Sequence, residues 1–287
     1  PPTGLGPAGV RYLDQMACDD RCFTAALLGL GQRGFLKITE DRGYYNLERT
    51  GQDMKWLPGE SAVAVLAPAQ GARGIGGTYD PAVQQARVAL DRALKSHFDE
   101  KLFSRNGGSL FVGVLIGGAA LLAMHAMDAV LPVIIAVALV MAVALFWAHK
   151  LLPAYTVEGR RLDDEIEGLR QYLSVAEKDD LAPQKRPPRT PGEFAKFLPY
   201  AVALDVEKTW ADAFVKVMGA AALSAATANY YTSTSSGSRG TVDRFTGGIA
   251  DMGRTISAAS TPPASSSGSS SGGGSSSGGG GGSSGGG

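Results

Sequence analysis

The run L-F-V-G-V-L-I-G-G-A-A-L-L-A-M at Leu110–Met124 and the run A-V-L-P-V-I-I-A-V-A-L-V-M-A-V-A-L-F-W-A at Ala129–Ala148 are separated only by His125, Ala126, Met127 and Asp128. Neither run contains Lys, Arg or Glu. At the helical rise per residue, a helix from Ser109 to Met127 is about 28 Å long and the second run about 30 Å, against a hydrocarbon core of about 30 Å. The pair reads as a transmembrane helical hairpin in a mainly α membrane protein. A buried hairpin in a soluble domain is the alternative, since the first apolar core has only 15 residues. That alternative asks a small, polar remainder to wrap two helices that are apolar on every side.

Orientation follows from charge. Arg87, Arg92, Lys95, Lys101 and Arg105 precede the first run, and Lys150, Arg160 and Arg161 follow the second. The turn carries only His125 and Asp128, so the positive-inside bias puts the turn outside and both chain ends in the cytoplasm, as a multi-pass protein of the cell membrane. Gly113 and Gly117 form G-x-x-x-G, which lets helices approach closely, either within the hairpin or in a homo-oligomer. Pro132 and Pro153 mark helix boundaries.

The 27 basic and 27 acidic side chains cancel. Whole-chain attraction to nucleic acid or anionic lipid is thereby excluded, and partners must be argued locally. The chain opens on Pro1, which suggests a fragment or processed piece. Its two cysteines, Cys18 and Cys22, are read as reduced thiols: an i, i+4 pair on a helix is a poor disulfide, and a zinc site wants four ligands, whereas His97, His125 and His149 all lie near the membrane segments.

Before the hairpin, residues 1–105 read as a cytoplasmic α+β winged-helix-like module. Pro7 opens a helix reaching Ala17. Asp19 or Asp20 caps a second, with Phe23, Ala26, Leu27 and Leu30 on one face, ending at Gly34. Phe35–Glu40 and Tyr44–Thr50 alternate as a two-stranded wing around Asp41, Arg42 and Gly43. From Gly51 to Asp80 the pattern loosens, and its glycines lack the G-x-x-x-x-G-K-[ST] of a phosphate loop. Asp80-Pro81 then caps a long helix along Val83, Ala86, Leu90, Leu94, Phe98 and Leu102. Helix plus wing suggests DNA binding, but Arg21, Gln32, Arg33, Lys37 and Arg42 make a thin basic footprint, so nucleic acid is disfavoured.

After the hairpin (106–150), residues 151–220 read as a cytoplasmic helical segment. A helix from Glu158 to Ala176 carries the seam Leu162, Ile166, Leu169, Leu173, which is expected to dock on the first module. Asp163, Asp164, Glu167 and Arg170 form its solvated face rather than an acid/base pair. Lys185–Arg189 is a basic, proline-stiffened linker. Two short helices follow, Pro191–Leu204 and Glu207–Ala220. Residues 221–287 read as a disordered Gly/Ser-rich tail with scattered Val242, Phe245, Ile249 and Met252.

Four stretches carry a resemblance: P-P-T-G-L-G-P-A-G-V-R-Y-L from Pro1, A-A-L-L-G-L-G-Q-R-G-F-L-K-I from Ala25, G-R-R-L-D-D-E-I-E-G-L-R-Q-Y-L-S-V-A-E from Gly159, and E-F-A-K-F-L-P-Y-A-V-A-L-D-V-E-K-T-W-A-D-A-F from Glu193. In this order they resemble the C-terminal half of the YciQ-like predicted bacterial membrane proteins (domain of unknown function 2207), from Pro1 to about Met218 with the Gly/Ser tail. The resemblance implies an upstream signal peptide, an extracytoplasmic β-rich domain and a further membrane helix. It implies no established activity and no site residues. The tail departs from many members in ending without an aromatic or basic residue.

No catalytic, cofactor-binding or metal-binding set is read from the sequence, and no enzyme is expected. The leading expectation is a membrane-anchored scaffold or interaction protein of the bacterial envelope, in contact with the lipid bilayer and with a protein partner at its cytoplasmic face. A membrane-tethered nucleic-acid-binding regulator is the second reading. Part of a transporter or enzyme completed by upstream residues is the third.

Overall fold

The structure is a computed structural model and describes residues 4–51, 54–105, 107–126, 130–151, 153–174, 190–234 and 240–263. Helix α1, Pro7–Gln15, opens on its proline as expected and closes on Met16, whose φ of 51° is left-handed. Helix α2, Asp20–Gln32, is capped by Asp19, which accepts from the Cys22 N–H at 2.9 Å. Between Cys22 and Gly31 every residue of α2 is buried. A helix buried all round belongs inside a core, so α2 has no face to offer a nucleic-acid groove along that length.

The predicted hairpin is present as β1, Leu36–Asp41, and β2, Tyr44–Arg49. Arg42 and Gly43 both take positive φ, 50° and 84°, which is the tight turn that matches strand twist. It is not a free two-stranded wing. β3, Ala72–Ile75, pairs antiparallel with β2, and β6, Tyr231–Ser233, pairs parallel with β1, giving the order β3-β2-β1-β6. The wing expectation is thus corrected: the hairpin forms the middle of a mixed sheet. β3 lies in the stretch read as loose, where a four-residue strand bordered by glycine leaves no alternation to detect.

Helix α3, Glu60–Ala64, leads to α4, Pro81–Leu102, capped by Asp80 as the sequence signals. Its stripe Val83, Ala86, Leu90, Leu94, Phe98 and Leu102 is buried. β4, Phe103–Arg105, then pairs antiparallel with β5, Pro153–Tyr155, a ribbon that clasps both ends of the apolar hairpin. Beyond it α7, Val157–Ser174, packs on α4 and α1 and buries Ile166, Leu169 and Leu173. The expected docking of this helix on the first module is therefore seen. The linker at Lys185–Arg189 lies outside the described residues.

Between the ribbon strands stand α5, Gly107–Ala126, and α6, Leu131–Leu151, packed side by side. A Cβ on Gly117 would sit 2.0 Å from Met141 Cε, and one on Gly113 3.5 Å from Leu145 Cδ2, so the G-x-x-x-G face is turned toward α6 of the same chain. The expectation of a transmembrane hairpin is corrected here: among the described residues no helix is long and apolar enough to cross a membrane. In α5 the residues Gly107, Gly108, Ser109 and His125 leave an apolar stretch from Leu110 to Met124, about 22 Å. That falls short of a hydrocarbon core of about 30 Å. α6 in turn carries Pro132 in its first turn and closes on His149 and Lys150. This removes the hairpin as the basis for a multi-pass topology.

The C-terminal part departs furthest from expectation. After α8, Pro191–Ala203, and α9, Glu207–Met218, come α10, Ala220–Thr227, then β6, then α11, Thr241–Ser260. Disorder from residue 221 is thus corrected for these elements. The residues that look scattered, Val242, Phe245, Ile249, Met252 and Ile256, recur at spacings of three and four, one face of a helix. Ile249, Met252 and Ile256 are buried on α11, which packs against α2 and α4. One core runs from Leu5 to Ala259, and it includes none of the described residues of α5 or α6.

Candidate functional site

Arg11 sits within seven consecutive buried residues of α1, so its guanidinium is almost wholly withdrawn from water. A buried cation persists only when paired. Its Nη2 reaches Asp19 Oδ2 at 2.5 Å, its Nε donates to both Asp19 oxygens at 3.1 Å, and its Nη1 contacts Asp205 and donates to the Ala203 carbonyl at 3.1 Å. Asp205 occupies the turn between α8 and α9 with φ of 60°, a left-handed conformation that Asp tolerates better than most residues. From there its second oxygen takes Arg21 Nε at 2.8 Å, and Arg21 Nη1 continues to the buried Glu207 at 2.9 Å. Two arginines thus alternate with three carboxylates, drawn from α1, α2 with its cap, and the α8–α9 turn with the start of α9.

A second strand of the same network starts one residue on. Asp20 meets Arg87 of α4 at 2.6 Å, and Arg87 donates to Ser260 at the end of α11 at 2.8 Å. Between the α2 N-terminus and α11 lies a cleft of about 350 Å³, floored by Arg11, Asp19 and Arg21 and walled by Ile249, Gly253 and Arg254. Gly253 permits this approach, since a Cβ there would stand 3.3 Å from Thr24 Oγ1.

The electrostatics agree with a structural clamp. Burial alone would lower the Arg11 pKa, but its bonds to Asp19 and Asp205 and their charges outweigh that and raise it. Burial likewise pushes Asp19 upward, yet the Arg11 hydrogen bonds, the Cys22 N–H and the Arg11 charge hold its carboxyl below the usual range. Each ion of this pair is stabilised in its charged form by its neighbours. Such groups link elements well and exchange protons poorly near neutrality.

The residues singled out in the sequence scatter around this cluster. Cys18 and Cys22 stand at its edge, their sulfurs 2.8 Å apart. His97 is exposed at the side of α4, edge-on to Phe98, and His125 is exposed at the end of α5. Among the described residues no group of His, Cys, Asp and Glu is arranged to hold a metal ion. On α7, Asp163 pairs with Arg160 and Glu167 with Arg170, whose other arm crosses to Asp14 of α1 at 2.5 Å. A basic residue of the helix-and-wing reading is engaged too: Arg33 binds the buried Glu60 at 2.5 Å. Sequence reasoning missed Arg11, Asp205 and Glu207. The signal was a single arginine inside an otherwise apolar helical stretch, which needs a carboxylate from elsewhere.

No curated protein and no solved structure matches the chain. A family model does, the one described as Predicted membrane protein (DUF2207) C-terminal domain, over residues 1–214. The match contains Arg11, Asp19, Arg21, Asp205 and Glu207, and ends within α9, before α10, β6 and α11. Covering well over half of the 287 residues, it settles the family: the chain belongs to the C-terminal domain of the DUF2207 predicted membrane proteins.

Proposed function

We propose that this chain is a scaffold or protein-interaction component of the bacterial cell envelope that works at the membrane, with its folded body and both ends on the cytoplasmic side. The observation that carries this is the exposed apolar hairpin. Ile116, Leu122 and Val140 are 66%, 72% and 70% exposed, on helices that contribute nothing described to the core. Contiguous apolar surface of that kind marks an interaction site. Membership of a predicted membrane protein family supports lipid as its neighbour. Arg92 and Lys95, both exposed on α4, support the cytoplasmic side, where anionic lipid attracts basic residues. The arginine–carboxylate clamp holds the body in one shape for a protein partner.

Membrane fractionation followed by crosslinking and pull-down from native membranes tests this. The expected outcome is recovery in the membrane fraction with a reproducible protein partner. Recovery in the soluble fraction, or alone, overturns it. A DNA titration at low salt is expected to give no shift; binding that weakens steeply with salt would replace the scaffold with a nucleic-acid-binding regulator.

A further inference from the structure

Cys18 and Cys22 are four positions apart, a spacing that on a continuous helix holds two side chains in register one turn apart and suits a disulfide poorly. The structure removes that objection. α2 begins at Asp20 with Asp19 as its cap, so Cys18 lies outside the helix and Cys22 within its first turn. The chain folds back at Asp19, and the Cys18 thiol donates to the Cys22 sulfur at 2.8 Å. Closing that gap to a bond of about 2.05 Å takes a movement of less than about 1 Å. Both cysteines are free.

Their surroundings are unequal. Cys18 is partly exposed, whereas Cys22 is fully buried behind it, its sulfur near the Ala8 carbonyl at 3.6 Å. We propose that Cys18 and Cys22 are a redox-active dithiol that forms a reversible disulfide by exchange with a small disulfide of the glutathione class.

The Cys18 thiolate attacks one sulfur of glutathione disulfide. The glutathione S–S bond breaks, a Cys18–glutathione bond forms, and the departing thiolate takes up a proton to leave as one glutathione. The Cys22 thiolate then attacks the Cys18 sulfur, forming the Cys18–Cys22 bond and releasing the second glutathione. Two electrons pass from the pair to the small disulfide, and the two thiol protons end on the two glutathiones. A reduced dithiol such as dithiothreitol reverses both steps.

The order of attack follows from access and from acidity. Once Cys18 is a thiolate, the Cys22 thiol donates back to it and is held well above its ordinary pKa, first by that hydrogen bond, then by burial and by the charges of Cys18 and Asp19, with Arg11 opposing. Once Cys18 is in the mixed disulfide, the first of these causes is gone. The new bond spans the cap residue Asp19, whose carboxylate binds both the Cys22 N–H and Arg11. Oxidation therefore fixes the α2 N-terminus in the position the Arg11 clamp requires.

The test is intact mass and thiol alkylation of the full chain after incubation with excess glutathione disulfide. Wild type is expected to lose the mass of two hydrogens and to fall from two alkylatable thiols to none under denaturing conditions, with both restored by dithiothreitol. Cys22→Ala is expected to stop at the glutathione adduct on Cys18. Cys18→Ser should be modified at least about tenfold more slowly than wild type, its remaining thiol being buried. Wild type that stops at the mixed adduct, or keeps two alkylatable thiols, overturns the proposal without reference to either variant.

Discussion

Arg11 of the first helix and Asp205 of the turn after the eighth meet across 194 positions of chain, and the same carboxylate binds Arg21. A group in a left-handed turn thereby joins the first two helices to the last third of the family-matched region. Arg11→Met is expected to strand Asp19 and Asp205 without their shared cation. Both carboxylates keep access to water, 41% and 47% exposed, so the loss is about 2 kcal/mol rather than the larger cost of a sealed charge. Urea unfolding measures it. Arg11→Lys should recover little, since a lysine cannot reproduce the fork that binds two carboxylates at once.

Acid stability follows from Asp19. Its folded pKa is depressed, so the stability it contributes is fully present above the unfolded value of about 3.9 and is lost as pH falls through the lower folded value. Unfolding midpoints measured downward from pH 5 should decline below about pH 4. Asp19→Asn, which keeps the helix cap and loses the charge, should be less stable at neutral pH and flatter in that window.

The alkaline side belongs to Tyr172. Burial, with a hydrogen bond at 3.0 Å to Glu193 and that carboxylate's charge, pushes its phenol up to about 12. A raised pKa contributes stability that is intact below the unfolded value of about 10 and disappears as pH climbs toward the folded one. Tyr172→Phe should remove part of the decline between about pH 10 and about pH 12 while changing the neutral midpoint far less.

Two adjacent glycines of α11 are expected to behave oppositely. A Cβ on Gly248 would stand 2.6 Å from the buried Tyr231 hydroxyl, on the residue whose carbonyl accepts from Tyr45 at 2.8 Å. Gly248→Ala should therefore cost about 1–3 kcal/mol through overpacking. A Cβ on Gly247 would meet nothing within 4 Å. Gly247→Ala should stabilise by up to about 1 kcal/mol through helix propensity. Thermal or urea unfolding of the two single variants separates them.

What was legible in the sequence was local. Asp80, and one of Asp19 and Asp20, announce their helices because a side-chain oxygen before an apolar repeat has one obvious use, and Gly43 announces its turn because positive φ costs glycine least. The α4 stripe and the α7 seam read correctly because their periodicity is dense. α11 did not, because its apolar residues are diluted by Gly, Ser and Thr, and composition masked a regular spacing. β3 and β6 are four and three residues long, too short to alternate, and exist because β2 and β1 present edges to them. Arg11 and Asp205 are legible only as half a pair each. Apolarity of the α5 and α6 runs reads plainly, but that neither described helix is long and apolar enough to cross a membrane does not, because Gly107, Gly108, Ser109 and His125 shorten the apolar part of α5, and Pro132, His149 and Lys150 that of α6.

The parallel pairing of β1 with β6 also sets a timetable for biosynthesis. Thr39 meets Thr232 across 193 positions, so β1 is made long before its neighbour exists. At about 5–20 residues per second, roughly 10–40 s of translation separate the two. Through that interval the outer edge of β1 is open, and the flank of α2 that α11 will cover is bare. The body around α2 therefore cannot finish folding as it emerges, and waits for the last helix to seal it.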